Sequence, residues 1–525
     1  MNERCEISGP IHPLTGEPRR RNGHVRPELV QLVAQAPRRR EIQATYDAAR
    51  TTDEFKNYWA NADGLDADSA NSRTVRSTLV KRSRYEVANN GYADGMVQTH
   101  ANYLVGTGPS LRLQTASSSF NTLVETEWHR WAKATLFRRK LWCMAHAKVQ
   151  DGEPLGIVRD NPRIRHAVKL DVVLIETEQC QTPMLPFAVP GYIDGIKFDE
   201  FGNPEWYDIL PQHPGGQFAT VNQPEHVPAR FILHWFQLRR PGQHRGVPEF
   251  RSTLNVGASS RRFREATVAS AETAADISVL LQTMFPPDEM DMVTPLTSVE
   301  FQKRMMLALP NGWGGNQMKA EHPNATYEAF LKSQINETAR PKSIPYNLAA
   351  CDSSSYNYAS GRLDHQTYFI ALDVEREDAN DLVLDPLFDL WWQEAVLAFG
   401  WDADPSQPPA HLWDWPKHPV ADVVSENSAK DTRLRNGSTY PSQIYSEEGR
   451  DFEDELPKMA QDYGVSEVEM RQILLHALFN SQNQQSAMVS ATAQAEASKA
   501  QVQTAREAAK SPAADPSSTE GATSA

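Results

Sequence analysis

Apolar positions recur at helical spacing through "TVRSTLVKRSRYEVANN", stop at Asn89-Asn90-Gly91, and resume in "YADGMVQTHANYLVG" with Met96, Val97, Tyr103 and Leu104. Gly106, Gly108 and Pro109 then end the pattern, as residues just past a helix do. "SLRLQT" alternates like a strand, and Phe120 to Val149 is again helical, with a bulky face of Trp128, Trp131, Phe137, Leu141 and Trp142. Residues 154–236 change character: "LGIVRD", "KLDVVLIETEQC", "GIKFDEFGNPEWYDIL" and "RFILHWFQL" are short β-rich runs split by Pro, Gly and Asn. The third predicts a hairpin around Phe201-Gly202-Asn203-Pro204.

A long helix is expected from about Pro248 to Thr283, with Ala266, Ala269, Thr273, Ile277 and Leu280 on one stripe. Ala258, Ala271, Ala274 and Ala275 lie nearby, a composition suited to close helix–helix approach. Pro286-Pro287 stops that helix. Residues 284–325 read as a small module rich in Pro, Gly and Met, and "YEAFLKSQINETAR" returns as a second helix. A polar loop over 352–360 precedes a very long helix and then a Trp-rich stretch over 400–420. Residues 465–510, rich in Ala, Gln, Glu and Ser, suit a peripheral helix that packs in an assembly. The composition of "SPAADPSSTEGATSA" (511–525) is that of a disordered tail, and residues 1–70 read as an arm with Arg clusters at 19–21 and 38–40.

Composition narrows the field. A chain of 525 residues with 40% apolar content and 12 Trp has room for several domains and a large core. Its net charge of −14 argues against coating nucleic acid by bulk neutralisation. The acidity is local: residues 370–470 hold 23 acids against 7 Lys/Arg, whereas residues 1–50 hold nine Arg against six acids. Four dispersed cysteines (Cys5, Cys143, Cys180, Cys351) without C-x-x-C spacing read as reduced structural thiols. No apolar run reaches the ~18 residues of a membrane span, and "MNERCEISGP" lacks the apolar core of a secretory signal, so synthesis and retention in the cytoplasm are expected.

Catalytic signatures are missing. There is no G-x-S-x-G, H-E-x-x-H or G-x-x-x-x-G-K-[ST]. "GTG" at 106–108 follows a helix rather than a strand, the wrong order for a dinucleotide loop. His234 and His244 lie near each other in sequence without a Cys or carboxylate at ligand spacing, so no metal and no cofactor is expected. Asp451, Glu453, Asp454 and Glu455 read as a solvated face, with magnesium chelation as the alternative. "RRPGQHRGVPEF" (239–250) groups three Arg and a His around two glycines and two prolines, a phosphate cradle or a hinge. Without a partner nucleotide motif the hinge reading is favoured, with Pro248 near a first helical turn.

Five stretches, in order, resemble the lambda-type portal family of tailed bacteriophages: "RYEVANNGYADGMVQTHANYLVGTGPSLR", "IETEQCQTP…GIKFDEFGNPEWYDI", "HWFQLRRPGQHRGVPEF", "SSSYNYASGRLDH" and "RNGSTYPSQIYSEEGRDFEDEL". In the fourth, Ala359 replaces the first Ser of the family's Asn-Tyr-Ser-Ser-x-Arg, with Arg362 in register. The resemblance implies an α+β portal-type fold that assembles as a ring, typically of twelve subunits, at a capsid vertex of the virion.

Its layout would be an arm (1–70), a wing (71–247, β-rich over 154–236), a stem helix (248–283), a clip (284–325), and a second stem helix (326–345). A tunnel loop, long helix and remaining wing (346–465), a crown helix (466–510) and a tail (511–525) would follow. The implied partners are further copies of the chain, double-stranded DNA in the channel, terminase, and capsid, scaffold and head-completion proteins, with no membrane.

Arg239, Arg240, Pro241, Gly242, Gln243, Arg245, Gly246 and Pro248 would form a wing–stem hinge whose cations touch neighbouring subunits. Arg261, Arg262, Arg264, Lys332, Arg340 and Lys342 would face the channel or pair between stems. Ser353, Ser354, Ser355, Tyr356, Asn357, Tyr358 and Arg362 would form the tunnel loop. Acids over 373–404 would let the duplex slide. The competing readings are a metal-dependent enzyme acting on DNA and another virion protein such as a head–tail connector.

Overall fold

The computed structural model describes residues 57–182, 191–217, 223–276, 280–283, 313–316, 327–354, 356–419, 423–447 and 452–476. The chain divides into two units, 1–65 and 66–525. In the first, the described residues form a turn closed by Ala62 N–H donating to Trp59 O (3.0 Å).

The second unit opens with a short helix, α1 (Ala67–Ala70), capped by Asp66. Two helices that contact each other follow, α2 (Arg73–Asn89) and α3 (Gly91–Val105). They meet at Asn90, which ends α2 and caps α3 through its side chain. Gly106 (φ 53°) closes α3 in a backbone conformation that side chains disfavour, and the chain passes to β1 (Ser110–Leu113).

The helix expected over 120–149 is two helices, α4 (Ser118–Ala134) and α5 (Phe137–Asp151). Leu136 between them is left-handed (φ 56°), and Thr135 Oγ1 donates back to Trp131 O (3.0 Å). The break folds Phe137 onto Trp128 and Trp131, with ring centroids 6.4 and 5.8 Å apart. Helical periodicity alone hides such a break, because both halves keep the same apolar face.

Seven strands follow: β2 (Leu155–Asp160), β3 (Leu170–Ile175), β4 (Tyr192–Ile193), β5 (Ile196–Phe198), β6 (Pro204–Ile209), β7 (Glu225–Pro228) and β8 (Ile232–His234). They form antiparallel sheets of order β3-β2-β8 and β4-β5-β6-β7. The expected hairpin is β5–β6. Its turn is held by Asp199 Oδ1, which accepts from Phe201 N and Asn203 N at 2.8 Å each. Leu155, Ile157, Cys180, Ile196, Tyr207 and Ile209 make a small core between the sheets.

The next helix, α6, spans Leu254–Asp276 rather than 248–283. One 3₁₀ turn (Glu249–Ser252), capped by Pro248, precedes it. The β-branched run "ISVLLQT" ends instead in a strand, β9 (Leu280–Thr283), paired with β10 (Trp313–Asn316). The rest of 284–325 lies outside the described residues. After α7 (Tyr327–Ala339) and a 3₁₀ turn at Arg340–Lys342 comes α8 (Tyr346–Ala349).

The long helix is α9 (Tyr358–Ala379), a π turn (Asn380–Leu384) and α10 (Asp385–Phe399). β11 (His411–Asp414) pairs with β1. Then come α11 (Val423–Arg435), α12 (Pro441–Glu447), α13 (Phe452–Tyr463) and a helical stretch, 467–476. Residues 477–510 of the expected crown helix, the arm to residue 56 and the tail lie outside the described residues.

The main core joins α3, α4, α5, α9 and α10 around Trp128, Trp131, Tyr368, Phe388, Trp391 and Trp392, which are 4% exposed or less. Trp128 stacks edge-on against Trp391 (5.3 Å) and Phe388 (5.6 Å). Each such ring contributes about 1.5–3 kcal/mol by leaving water.

Candidate functional site

The 239–250 stretch crosses the end of α5, and two glycines allow the crossing. A Cβ on Gly246 would lie 2.3 Å from Gly152 O, and one on Gly152 would lie 2.2 Å from the Val247 carbonyl carbon. Gly152 also has φ +92°. Backbone therefore packs directly on backbone, which places Arg245 beside Glu153, the two being 1% exposed each.

Arg245 Nη2 donates to Glu153 Oε1 at 2.6 Å and Nε to both carboxylate oxygens at 3.1 and 3.0 Å. Its remaining N–H groups reach the carbonyls of Cys180 (3.2 Å), Thr177 (3.3 Å) and Asp194. Glu153 also accepts from Gly246 N (2.6 Å), His234 Nε2 (3.1 Å) and Thr177 Oγ1, with Arg76 Nε at 3.5 Å. Burial pushes the Glu153 carboxyl up, but Arg245, the His234 hydrogen bond and Arg76 outweigh it and hold it well below the usual carboxylate range. Burial lowers His234, so its Nε2 carries the proton given to Glu153 and its Nδ1 accepts from Tyr207 OH (3.2 Å).

The loop itself is folded around Gln243, whose Oε1 accepts from Arg239 N (3.0 Å) and whose Nε2 donates to Arg245 O (2.9 Å). Gly242 makes the turn after Pro241 with φ 75°. His244 binds Asp68 Oδ2 through Nδ1 (2.7 Å). Arg239 pairs with Glu249, and Arg240 is exposed. The expectation that these cations touch neighbouring subunits is therefore corrected for Arg245: every donor it has is engaged inside its own chain. Arg245 cannot cradle a phosphate, because its guanidinium is sealed from solvent.

A second buried centre lies beside the first. Glu375 of α9 receives Lys148 Nζ at 3.0 Å, His100 Nε2 at 3.1 Å and Lys342 Nζ. Tyr368 OH meets His100 Nδ1 at 3.2 Å. Burial raises the Glu375 carboxyl, but Lys342, Lys148 and His100 hold it well below the usual range, and burial lowers His100. Lys148 is also 4.0 Å from Glu249, so Arg239, Glu249, Lys148, Glu375 and Lys342 alternate in sign from the 239–250 loop to α9. Lys342 is 4% exposed and cannot reach DNA, which corrects its assignment as a channel contact.

The other expected channel cations divide. Arg261 binds Glu86 (2.7 Å), and Arg264 donates to Asn90 Oδ1 (3.0 Å) and stacks over Tyr92, so both fasten α6 to α2 and α3. Lys332 lies over the Tyr346 ring (4.7 Å). Arg262 and Arg340 are exposed and form no ion pair among the described residues. An open polar groove of 440 Å³ between α7 and α9 is lined by Lys332, Arg340, Tyr346, Tyr356 and Ser360.

The expected tunnel loop is shorter than 353–362. Ser353 and Ser354 form a turn on Asp352, and Ser355 lies outside the described residues. Asn357 caps α9 through Ser360, so Tyr358 and Arg362 already belong to the helix. Three of the acids over 373–404 serve the fold, while Asp373, Glu377, Asp381, Asp389, Asp402 and Asp404 are exposed. Glu375 is buried, Asp385 accepts from Trp413 Nε1 (2.7 Å), and Glu394 accepts from Lys169 N.

Glu176, Glu178 and His213 place one donor atom each within 4.8 Å of one another. Arg84 already supplies the cation there, 2.9 Å from Glu176 and 3.0 Å from Glu178. His213 Nδ1 accepts from Gly215 N–H (3.0 Å), the reverse of the donated N–H that orients a metal-bound imidazole. Burial raises the Cys180 thiol to about 11 and raises Cys143 too, as suits structural thiols.

What the sequence organises at these centres is architecture: charged side chains that lock helices together, with no nucleophile and base presented to a cleft among the described residues. The chain belongs to the lambda family of phage portal proteins, whose sequence model ("Phage portal protein, lambda family") matches residues 55–372, well over half its length. That family is structural and not catalytic, which removes the DNA-acting enzyme as a reading.

No curated protein matches the chain. Among solved structures it is similar to the neck of an empty gene transfer agent particle computed with C6 symmetry (12% identity, 71% of this chain and 93% of that one, TM-score 0.41). It is also similar to the virion of a native gene transfer agent particle (13%, 71% and 93%, TM-score 0.38). A third is the HK97-family phage portal protein from Corynebacterium diphtheriae (13%, 58% and 86%, TM-score 0.24). Likeness at these TM-scores carries no weight beside the family match.

Proposed function

We propose that this chain is the portal subunit at a capsid vertex of a tailed phage or phage-like particle. Copies form a ring, twelve in number, through which terminase drives double-stranded DNA and from which the DNA later leaves. Head-completion proteins attach to the same ring, and assembly takes place with capsid and scaffold proteins in the host cytoplasm. The chain has no nucleotide loop, so ATP hydrolysis belongs to the partner.

One geometric observation carries this reading. α6 and α7 pack side by side, with Phe263 5.7 Å from Tyr327 and 4.8 Å from Phe330. α6 departs from the buried charge network, through Glu249 before it, and α7 comes back to the same network, through Lys342 after it. The chain therefore leaves the network along α6 and returns to it along α7, as a stem bearing a terminal module requires. In this reading the 239–250 loop is the rigid joint between wing and stem, the 284–325 segment is the clip and 353–357 borders the channel. Of the six cations expected at the channel or between stems, Arg262 and Arg340 are the exposed ones and would meet DNA.

The test is packaging. Particles assembled with this chain should protect DNA from nuclease when terminase and ATP are supplied, and particles assembled without it should not. Equal protection in both would remove the proposal.

A further inference from the structure

We propose that the outward face of α9 binds a second copy of this chain, and that it meets the outward face of α2 on that copy. The inference rests on the reading of the chain as a ring subunit and names the surfaces that join one subunit to the next.

The inner face of α9 is fixed by Tyr368, Leu372, Glu375, Arg376 and Ala379, all buried. Its outer face carries Leu363, Ile370 and Val374, which are 66%, 66% and 57% exposed. Spacings of seven and four residues place the three on one stripe. Branched aliphatic side chains aligned in water over three turns are the kind of surface that proteins cover with a partner. Arg362 is exposed beside Leu363 at its start, but the charges around the rest of the stripe are acidic: Glu377 and Asp373, the latter also paired with His418, flank it, and exposed Asp381 follows the helix. Such a face repels phosphate, so DNA is not its occupant.

α2 is built the same way with the opposite sign. Arg76, Val80, Ser83, Glu86 and Val87 face inward. Outward stand Val75 (43% exposed) and Tyr85 (55%), the latter with Arg261 of α6 over its ring (5.0 Å), and Thr78, Lys81 and Arg82 lie on the same arc. Lys81 and Arg82 form no ion pair among the described residues, and no acid shares the arc. One subunit thus carries two different exposed patches, acidic around the α9 stripe and basic along the outer arc of α2.

Two α9 faces meeting each other would oppose acid to acid. α9 against α2 pairs unlike charges, and a contact between unlike patches repeats from copy to copy, as a ring demands.

The full-length chain and its variants should be compared by sedimentation velocity and electron microscopy. Glu377→Lys/Asp381→Lys and Lys81→Glu/Arg82→Glu should each weaken association at least tenfold, which converts to about 1.4 kcal/mol. Their melting temperatures should match that of dissociated wild type, since none of the four side chains is buried. The four substitutions together should restore the rings.

Rings that survive either pair alone, or a combination that stays dissociated, would overturn the assignment. So would rescue of Glu377→Lys/Asp381→Lys by Arg38→Glu/Arg39→Glu/Arg40→Glu, which would make the N-terminal arm the occupant. A wild-type chain that never assembles would instead refute the portal reading itself. Intact rings in both charge variants would leave that reading standing and remove only this interface.

Discussion

Arg245 and Glu153 form a buried, forked ion pair, Nη2 to Oε1 2.6 Å apart, at a point where Gly246 and Gly152 let two backbone segments touch. The pair joins the end of α5 to the loop that leads into α6. Truncating Glu153 to Ala leaves Arg245 and Arg76 charged in a sealed site, a defect that costs about 3–5 kcal/mol. Arg262→Ala, on the exposed face of α6, should stay within about 0.5 kcal/mol. Denaturant unfolding of the two variants checks the contrast, and equal midpoints would contradict the structural role given to the pair.

The glycines of the same crossing should rank by contact rather than by turn geometry. Gly246→Ala drives a methyl into Gly152 O and should cost at least about 1–3 kcal/mol, as overpacking does. Gly242→Ala meets open space and carries only the left-handed backbone penalty of about 1–2 kcal/mol. Thermal unfolding of both variants decides it, with Gly246→Ala expected to melt lower.

Acid should loosen the molecule in two stages. His100 and His234 are lowered by burial, so the unfolded chain takes up protons first as pH falls below about 6.5, and stability drops from there. Glu153 and Glu375 are held low in the folded state. The stability they contribute is present above about 4.3 and is lost as pH falls through their folded-state values. His100→Gln, which cannot gain the proton, should flatten the decline of melting temperature between pH 7 and 5. An unchanged slope would show that His100 is not part of it.

Among the cations once assigned to the channel, the structure separates anchors from free groups. Arg262→Ala and Arg340→Ala should reduce DNA affinity and lower the salt dependence of binding by about one charge each while leaving melting unchanged. Arg264→Ala should lower the melting temperature, because it unfastens α6 from Asn90 and Tyr92. Filter binding across a salt series, read beside thermal melts, distinguishes the two classes.

Local signals explain which parts were legible in the sequence. The α2–α3 break at Asn90 and the β5–β6 hairpin are written in caps and turn residues, which act within a few positions. The break at Leu136 was not, since no glycine or proline marks a left-handed leucine. Nor does the sequence show that Arg245 and Lys342 are buried, because their partners Glu153 and Glu375 lie 92 and 33 residues away. A basic residue in a loop reads as solvated until the fold supplies its carboxylate. The buried glutamates were missed for the same reason, and the one local trace of the crossing was Gly246 within the 239–250 turn.

The central claim is that this chain is a portal ring subunit, and electron microscopy of the purified full-length protein tests it most directly. The account predicts closed rings with a central opening wide enough for duplex DNA. A population of monomers or compact dimers, at every concentration and salt condition tried, would contradict it.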